Sequence, residues 1–487
     1  MPLKRSTSKK TEPAARPVFK RRFSNGVTLI AEPIEAVRTV AIGFWFSCGS
    51  RYEQKGRRGI SHFAEHMLFK GTKSRSAFDI ASAFDRMGGY ANAFTEREQV
   101  CLYCVVPSFY AEDALDILCD MAEDSVFSSE ETERERTVIE SEIEASADDP
   151  EDAALDAVSE ILWPDDPLSF PIAGTVKDVR KLTADSVRSW YVDFFRKGEL
   201  TVCVAGNVNP QALCSRLEKL GPHAACRPCI QSVPAVAQIP AGVPLSPTPK
   251  KRSKGGVHFL SADFQQEQFF VLYPLRFPFT LKDYYCWSVL NALIGDTMSS
   301  RLFQALRERS GYCYTVYSFF SLYADCGYWC AYACAPKKNA AKILAAVRDE
   351  LQLLADRGFG DDEIRAAKEH VCGEEIINAE DTEHRMKRLA RCAFYGFVQT
   401  PFDESLKAIR GLTGAELKSA LQTLLSSHEK IVVAYGPELS SSVQKRIKSL
   451  YDAESYLSKI KSKGKFLLER HTKRTRPKRW SADEPAE

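Results

Sequence analysis

His62-Phe63-Ala64-Glu65-His66 places two imidazoles four residues apart, with a carboxylate immediately before the second. On a helix, four residues make about one turn, so the two histidines stack on one face. Glu65 stands beside them, within reach of a water held between the rings. Two neutral imidazoles, a nearby carboxylate and one open position are the ingredients of a hydrolytic zinc site. A helical histidine pair is more often structural than metal-binding. Histidine is scarce here, however, with eight in 487 residues, so composition alone does not account for the pattern.

A tetrahedral catalytic zinc needs a third protein ligand, and with two histidines in place a carboxylate is the usual completion. Residues 130–151, EETERERTVIESEIEASADDPE, supply many. The segment reads as a helix with Val138, Ile139 and Ile143 as its apolar points. It stops near Pro150, because proline disfavours helix at the residue before it. Most of these carboxylates belong to a solvated face, and one or two turn inward. Spacing does not choose among them.

The wider context is specific. Gly49-Ser50-Arg51-Tyr52-Glu53 leads into Gly59-Ile60-Ser61-His62-Phe63-Ala64-Glu65-His66-Met67-Leu68-Phe69-Lys70-Gly71-Thr72. Gly88-Gly89 and Asn92-Ala93-Phe94-Thr95 follow, then Ser300-Arg301-Leu302-Phe303 and Tyr314-Thr315-Val316-Tyr317 further on. Over roughly residues 23–450 the chain resembles the M16 family of zinc peptidases, which carry H-x-x-E-H, the inverted zincin order. It looks most like subfamily B, with its bacterial processing-peptidase-like proteins and the β subunit of the mitochondrial processing peptidase.

The resemblance implies an α+β fold of two related M16-type (LuxS/MPP-like) α/β rolls. It implies one zinc ion per chain, on His62, His66 and Glu142, the last matching the family's V-x-x-E-[IM] segment with Glu140 as the near-miss. Glu65 would be the general base and then the proton donor to the leaving amine, and Glu135 would support the site. Asn92 and Ala93 match the edge segment that pairs with the substrate backbone, and Phe69 matches a hydrophobic wall beside the scissile bond. Asp152 and Asp156 fall where the processing peptidase reads a substrate arginine; a solvated helix start is the plainer reading. Arg307 and Tyr314, with Tyr312 as a competitor, match a pair that holds the substrate carbonyl and the developing oxyanion.

Two halves are expected, since the chain is too long for one core. Residues 1–22 read as a basic tail, 23–230 as a catalytic zinc-binding domain, 231–256 as a Pro-rich linker, 257–450 as an inactive domain of the same kind, and 451–487 as a second basic tail. Each half opens with a strand-like run (residues 27–31 and 257–260) and an aromatic strand (40–46 and 268–273). Each continues through a helix and later strands (100–106 and 328–334) and closes on a short apolar strand (201–205 and 431–435). The helix expected around residues 284–295 carries no H-x-x-E-H.

No run is apolar enough to span a membrane, and the first twenty-two residues lack the apolar core of a secretory signal. The 15 cysteines read as reduced core thiols, which places the protein in a bacterial-type cytoplasm, with the mitochondrial matrix as the alternative. Cys101 and Cys104 sit in a strand pattern that sends them to opposite faces. Cys226-Arg227-Pro228-Cys229 stays an open question. Residues 1–22 carry a net +7 and residues 459–480 a net +9, which leaves the rest at −14 for a chain of +2. The tails read as solubilising ends rather than nucleic-acid arms.

These readings converge on a zinc metalloendopeptidase that cleaves peptides or unfolded, presequence-like segments. By resemblance it works in a clam-shell chamber between two chains, a homodimer or a heterodimer with a related M16 chain. The competing reading is a non-catalytic assembly protein of the same fold, and the complete ligand set favours the enzyme.

Overall fold

In the computed structural model the described residues are 18–224, 253, 255–275, 277–397 and 399–451. Nearly all of the expected linker, most of both basic tails, and Cys226 and Cys229 lie outside them. Two sheets carry the fold. The first holds β1 (Phe19–Arg22), β2 (Thr28–Pro33), β3 (Thr39–Phe46), β4 (Tyr90–Thr95), β5 (Val100–Pro107) and β6 (Leu200–Gly206), in the order β1-β2-β6-β3-β5-β4. The second holds β7 (Gly256–Ser261), β8 (Glu267–Pro274), β9 (Thr315–Leu322), β10 (Gly327–Ala335) and β11 (Ile431–Gly436), in the order β7-β11-β8-β10-β9.

The duplication is therefore topological. In each half the opening strand pairs parallel with the closing one, β2 with β6 and β7 with β11. The remaining pairs are antiparallel. β1 is an addition with no counterpart in the second sheet among the described residues. It falls in the segment expected to be a basic tail, where Phe19 packs on the core and Arg21 pairs with Glu218.

Alternation along β3 shows how the sheet is built. Val40, Ile42, Phe44 and Phe46 enter a core shared with the helix Ile60–Met67, while Ala41 and Trp45 face the opposite way. That opposite face is covered by Met386, Leu389 and Ala390 of the helix Thr382–Tyr395, from the second half. The second sheet is treated reciprocally. Phe270, Leu272, Cys330 and Val433 pack against Ala154, Val158 and Leu162 of the helix Pro150–Leu162, from the first half. Each half thus closes the other's sheet. Gly43 marks one such close approach, because a Cβ there would lie 2.5 Å from Met386 Sδ.

Cys101 and Cys104 fall in different cores, on opposite faces of β5. The thirteen described cysteines are all free, and all but Cys334 are buried. Among the described residues no helix is long and apolar enough to cross a membrane.

Candidate metal centre

The helix Ile60–Met67 forms because its apolar residues recur at 60, 63, 64 and 67, the spacing of one buried face. Ile60, Phe63, Ala64 and Met67 are fully buried. His62 and His66 emerge on a different face of the same helix. Their Nε2 atoms lie 3.2 Å apart.

Glu142 arrives from the helix Ser129–Asp148. That helix is highly charged and buries only Thr132, Glu135 and Ile139 along its inner stripe. Glu142 continues the stripe, and its Oε2 lies 3.7 Å from His62 Nε2 and 3.5 Å from His66 Nε2. Glu140 points elsewhere, pairing with Arg180 through Oε2 at 2.8 Å.

Three donors in a tetrahedral zinc shell, each about 2.0–2.2 Å from the ion, are about 3.4 Å from one another. The observed separations of 3.2, 3.5 and 3.7 Å match those edges, so the residues present fit the ion. They form the one such group of three or more metal-binding side chains among the described residues. The Glu142 side chain is 52% exposed, which leaves the centre open to solvent on that side.

Electrostatics favour a neutral His62. Burial, followed by the neighbouring His66, holds His62 down to about 3, so its ring is uncharged at neutral pH. His66 Nδ1 lies 2.8 Å from Glu135 Oε1. A carboxylate only accepts, so Nδ1 carries the hydrogen and the Nε2 lone pair is left for the metal. Glu135 is 6% exposed, and its second oxygen lies 2.5 Å from Lys70 Nζ. The ammonium compensates its charge and leaves its position fixed.

Glu65 is buried beside the pair, and burial pushes its carboxyl up against an opposing hydrogen bond. That bond comes from Thr95 Oγ1, 2.8 Å from Glu65 Oε2, at the end of β4. β4 is an edge strand of the first sheet among the described residues and carries Asn92 and Ala93; Asn92 Oδ1 accepts from Ala93 N at 2.8 Å. Phe69 follows the helix and packs partly buried against the first core.

Asp152 and Asp156 lie one turn apart on the helix Pro150–Leu162. Asp152 is exposed at the helix start, its backbone N–H donating to the capping Asp149. Asp156 is held up chiefly by burial; Arg97 opposes this, and Asp152 and Glu160 add to it. Arg307 stacks on Tyr314, 4.4 Å from its ring centre, and Tyr314 is 76% exposed. Among the described contacts none joins that pair to the histidines or Glu142. In the second half, the helix Leu281–Asn291 has neither histidine nor glutamate.

Three supporting residues escaped the reading of the sequence: Lys70, Thr95 and Glu53. Glu53 accepts backbone hydrogens from Gly59 and Ser61 at the start of the helix that carries both histidines. All three lie in stretches that resemble the M16 family, but no periodicity or spacing assigns them a role.

Comparison with known proteins gives the family. Residues 29–176 match the family described as insulinase (peptidase family M16), and residues 181–371 match the peptidase M16 inactive domain. A protein named uncharacterized zinc protease from Streptomyces coelicolor is 33% identical over 419 residues, covering 85% of this chain and 89% of that protein. One of the same description from Bacillus subtilis is 32% identical over 367 residues, covering 75% of this chain and 85% of the relative. Among solved structures, a protease from Helicobacter pylori superposes with a TM-score of 0.75 at 18% identity, over 86% of this chain and 99% of that one. A peptidase M16 inactive domain from Pseudomonas fluorescens gives 0.76 at 16% identity, over 87% and 99%. At these identities the structural likeness speaks for the fold.

Proposed function

The chain belongs to peptidase family M16, and from that premise we propose that it is a zinc-dependent endopeptidase with a single ion on His62, His66 and Glu142. The observation that carries the reading is the set of donor separations, 3.2 to 3.7 Å, drawn from two helices far apart in sequence. When bound, zinc supplies a Lewis acid that acidifies water and polarises a peptide carbonyl.

The chain's own residues do the rest. Glu65 takes the proton from the attacking water and returns it to the leaving amine. Thr95 holds one oxygen of Glu65 and leaves the other for this work. Glu135 and Lys70 keep the His66 ring in its metal-binding tautomer. The free edge of β4, at Asn92 and Ala93, pairs with an extended substrate backbone by strand addition. Phe69 walls the scissile bond. Asp152 and Asp156 offer paired carboxylates to a basic substrate side chain. Arg307 and Tyr314 donate to the developing oxyanion.

The substrates are peptides or unfolded, presequence-like segments, taken into a clam-shell chamber between two chains. A homodimer is self-sufficient, because one chain carries both the ligand set and the Arg307–Tyr314 pair; a heterodimer with a related M16 chain is the other arrangement. The buried free thiols support a reducing, cytoplasmic setting. By the same reading residues 23–230 are the catalytic domain, with β1 added ahead of it, and residues 257–450 are the inactive domain.

The test is metal analysis together with digestion of a mixed peptide library by wild type and Glu65→Gln. One zinc per chain is expected in both, with cleavage reduced about a hundred- to ten-thousand-fold in the variant. Equal cleavage by the two proteins ends the mechanism. A wild type that holds no zinc and cleaves nothing favours the non-catalytic assembly role.

A further inference from the structure

Residues 49–59 lead from β3 to the helix that carries both histidines, and they hold two buried ionisable side chains, Arg51 and Glu53, that the mechanism does not use. Arg51 is 5% exposed. Its Nη1 donates to Glu98 Oε1, and its Nη2 lies 2.9 Å from Asp325 Oδ2. Glu98, 4% exposed, uses its other oxygen to accept from Ala324 N at 2.9 Å. Ala324 and Asp325 belong to the turn between β9 and β10, so this cluster pins the first half to the second.

Two residues beyond Arg51, the Glu53 carboxylate receives the Gly59 N–H at 2.7 Å and the Ser61 N–H at 2.9 Å, and is 3% exposed. Helix starts leave backbone N–H groups without intrahelical partners. Here the residue before the helix is Gly59, with φ +83°, and it has no side chain to serve them. Nor is there room for one, since a Cβ at Gly59 would lie 2.3 Å from Ala173 O. Glu53 supplies the missing cap from six residues upstream, its two oxygens accepting the two N–H groups. Ser61 directly precedes His62, so the carboxylate fixes the end of the helix at which the first ligand stands.

We propose that Glu53 is a positioning residue for the metal centre, and that Asp325 of the second half sets its place through Arg51. The inactive half then does more than close a chamber: its β9–β10 turn holds the segment on which the ligand geometry depends. The inference rests on reading His62, His66 and Glu142 as a zinc site.

The experiment measures zinc affinity by competition with a chelating dye for the full-length wild type, Glu53→Gln and Asp325→Asn. It adds the visible absorption of each protein loaded with cobalt(II) and the thermal unfolding of each metal-free protein. Glu53→Gln is expected to weaken zinc about ten- to a hundred-fold, the range for residues that orient metal ligands. Asp325→Asn is expected to weaken it about two- to thirty-fold, with the cobalt spectrum shifted in the same sense. Asp325 is partly exposed and far from the ligands in sequence, so its variant decides the matter even where Glu53→Gln does not fold. Variants that unfold at lower temperature but bind zinc as tightly as wild type, with an unchanged cobalt spectrum, overturn the proposal. A zinc effect at Glu53 with none at Asp325 overturns the link to the second half. A wild type that takes up no zinc overturns the metal-centre reading and this inference with it, whereas tight wild-type binding unaltered in both variants overturns this inference alone.

Discussion

Exchanging Glu135 for glutamine tests whether the electrostatics around His66 hold the metal. The side chain keeps its shape and loses its charge. Its two oxygens now serve two donors, His66 Nδ1 at 2.8 Å and Lys70 Nζ at 2.5 Å. Glutamine has one acceptor and one donor group, so whichever way the amide turns, one of those donors meets another donor. One charge-assisted hydrogen bond is therefore lost, worth about 1.5–3 kcal/mol. The Glu135 side chain is only 7% exposed, so solvent does little to soften the loss. At about 1.4 kcal/mol per tenfold, zinc affinity should fall roughly ten- to a hundred-fold. Competition with a zinc-binding dye reads this directly, and the unfolding temperature of the metal-free variant separates it from general damage. A variant that binds zinc within about twofold of wild type refutes the claim that Glu135 orients His66.

Glu142→Gln removes the only charged ligand; it should abolish stoichiometric zinc and erase the fall in unfolding temperature that a chelator produces in wild type. Retention of zinc by this variant places the third ligand elsewhere. Tyr314→Phe keeps the stacking with Arg307 and deletes the donor, so kcat should drop about a hundred-fold with little change in KM; steady-state kinetics on a cleaved peptide decide, and an unchanged kcat removes Tyr314 from the mechanism. Glu267 is 1% exposed, has an oxygen without a partner among the described residues, and is pushed by burial up to about 7, with Lys337 opposing. Its folded-state value lies above its unfolded one, so the folded state binds more protons and stability falls as pH rises from about 4.5 to about 7. Urea unfolding across that window should give a shallower slope for Glu267→Gln, and parallel slopes count against the burial argument.

The chain order of residues 62–66 set which side chains stand together before any fold was known. Helical spacing brings two imidazoles together wherever the helix ends up, and the apolar residues at 60, 63, 64 and 67 ensure that the segment is a helix. Strand patterns were equally local, which is why β2, β3, β5, β6 and their counterparts in the second half could be read. β1 could not, because four residues rich in arginine and lysine look like a tail until β2 lies alongside to pair with them.

The third member of the candidate ligand set was local only in part. The residues alone left a field of carboxylates between 130 and 151, and resemblance pointed to Glu142; the packing of two helices put its oxygen within 3.7 Å of both rings. Lys70, Thr95 and Glu53 are ordinary residues whose roles arise from contacts. Nor does any periodicity announce that each half lends a helix to the other's sheet. An amphipathic pattern states which face of an element avoids water, and it is silent on what will cover that face. Only the folded chain, by choosing partners hundreds of residues apart, made that decision.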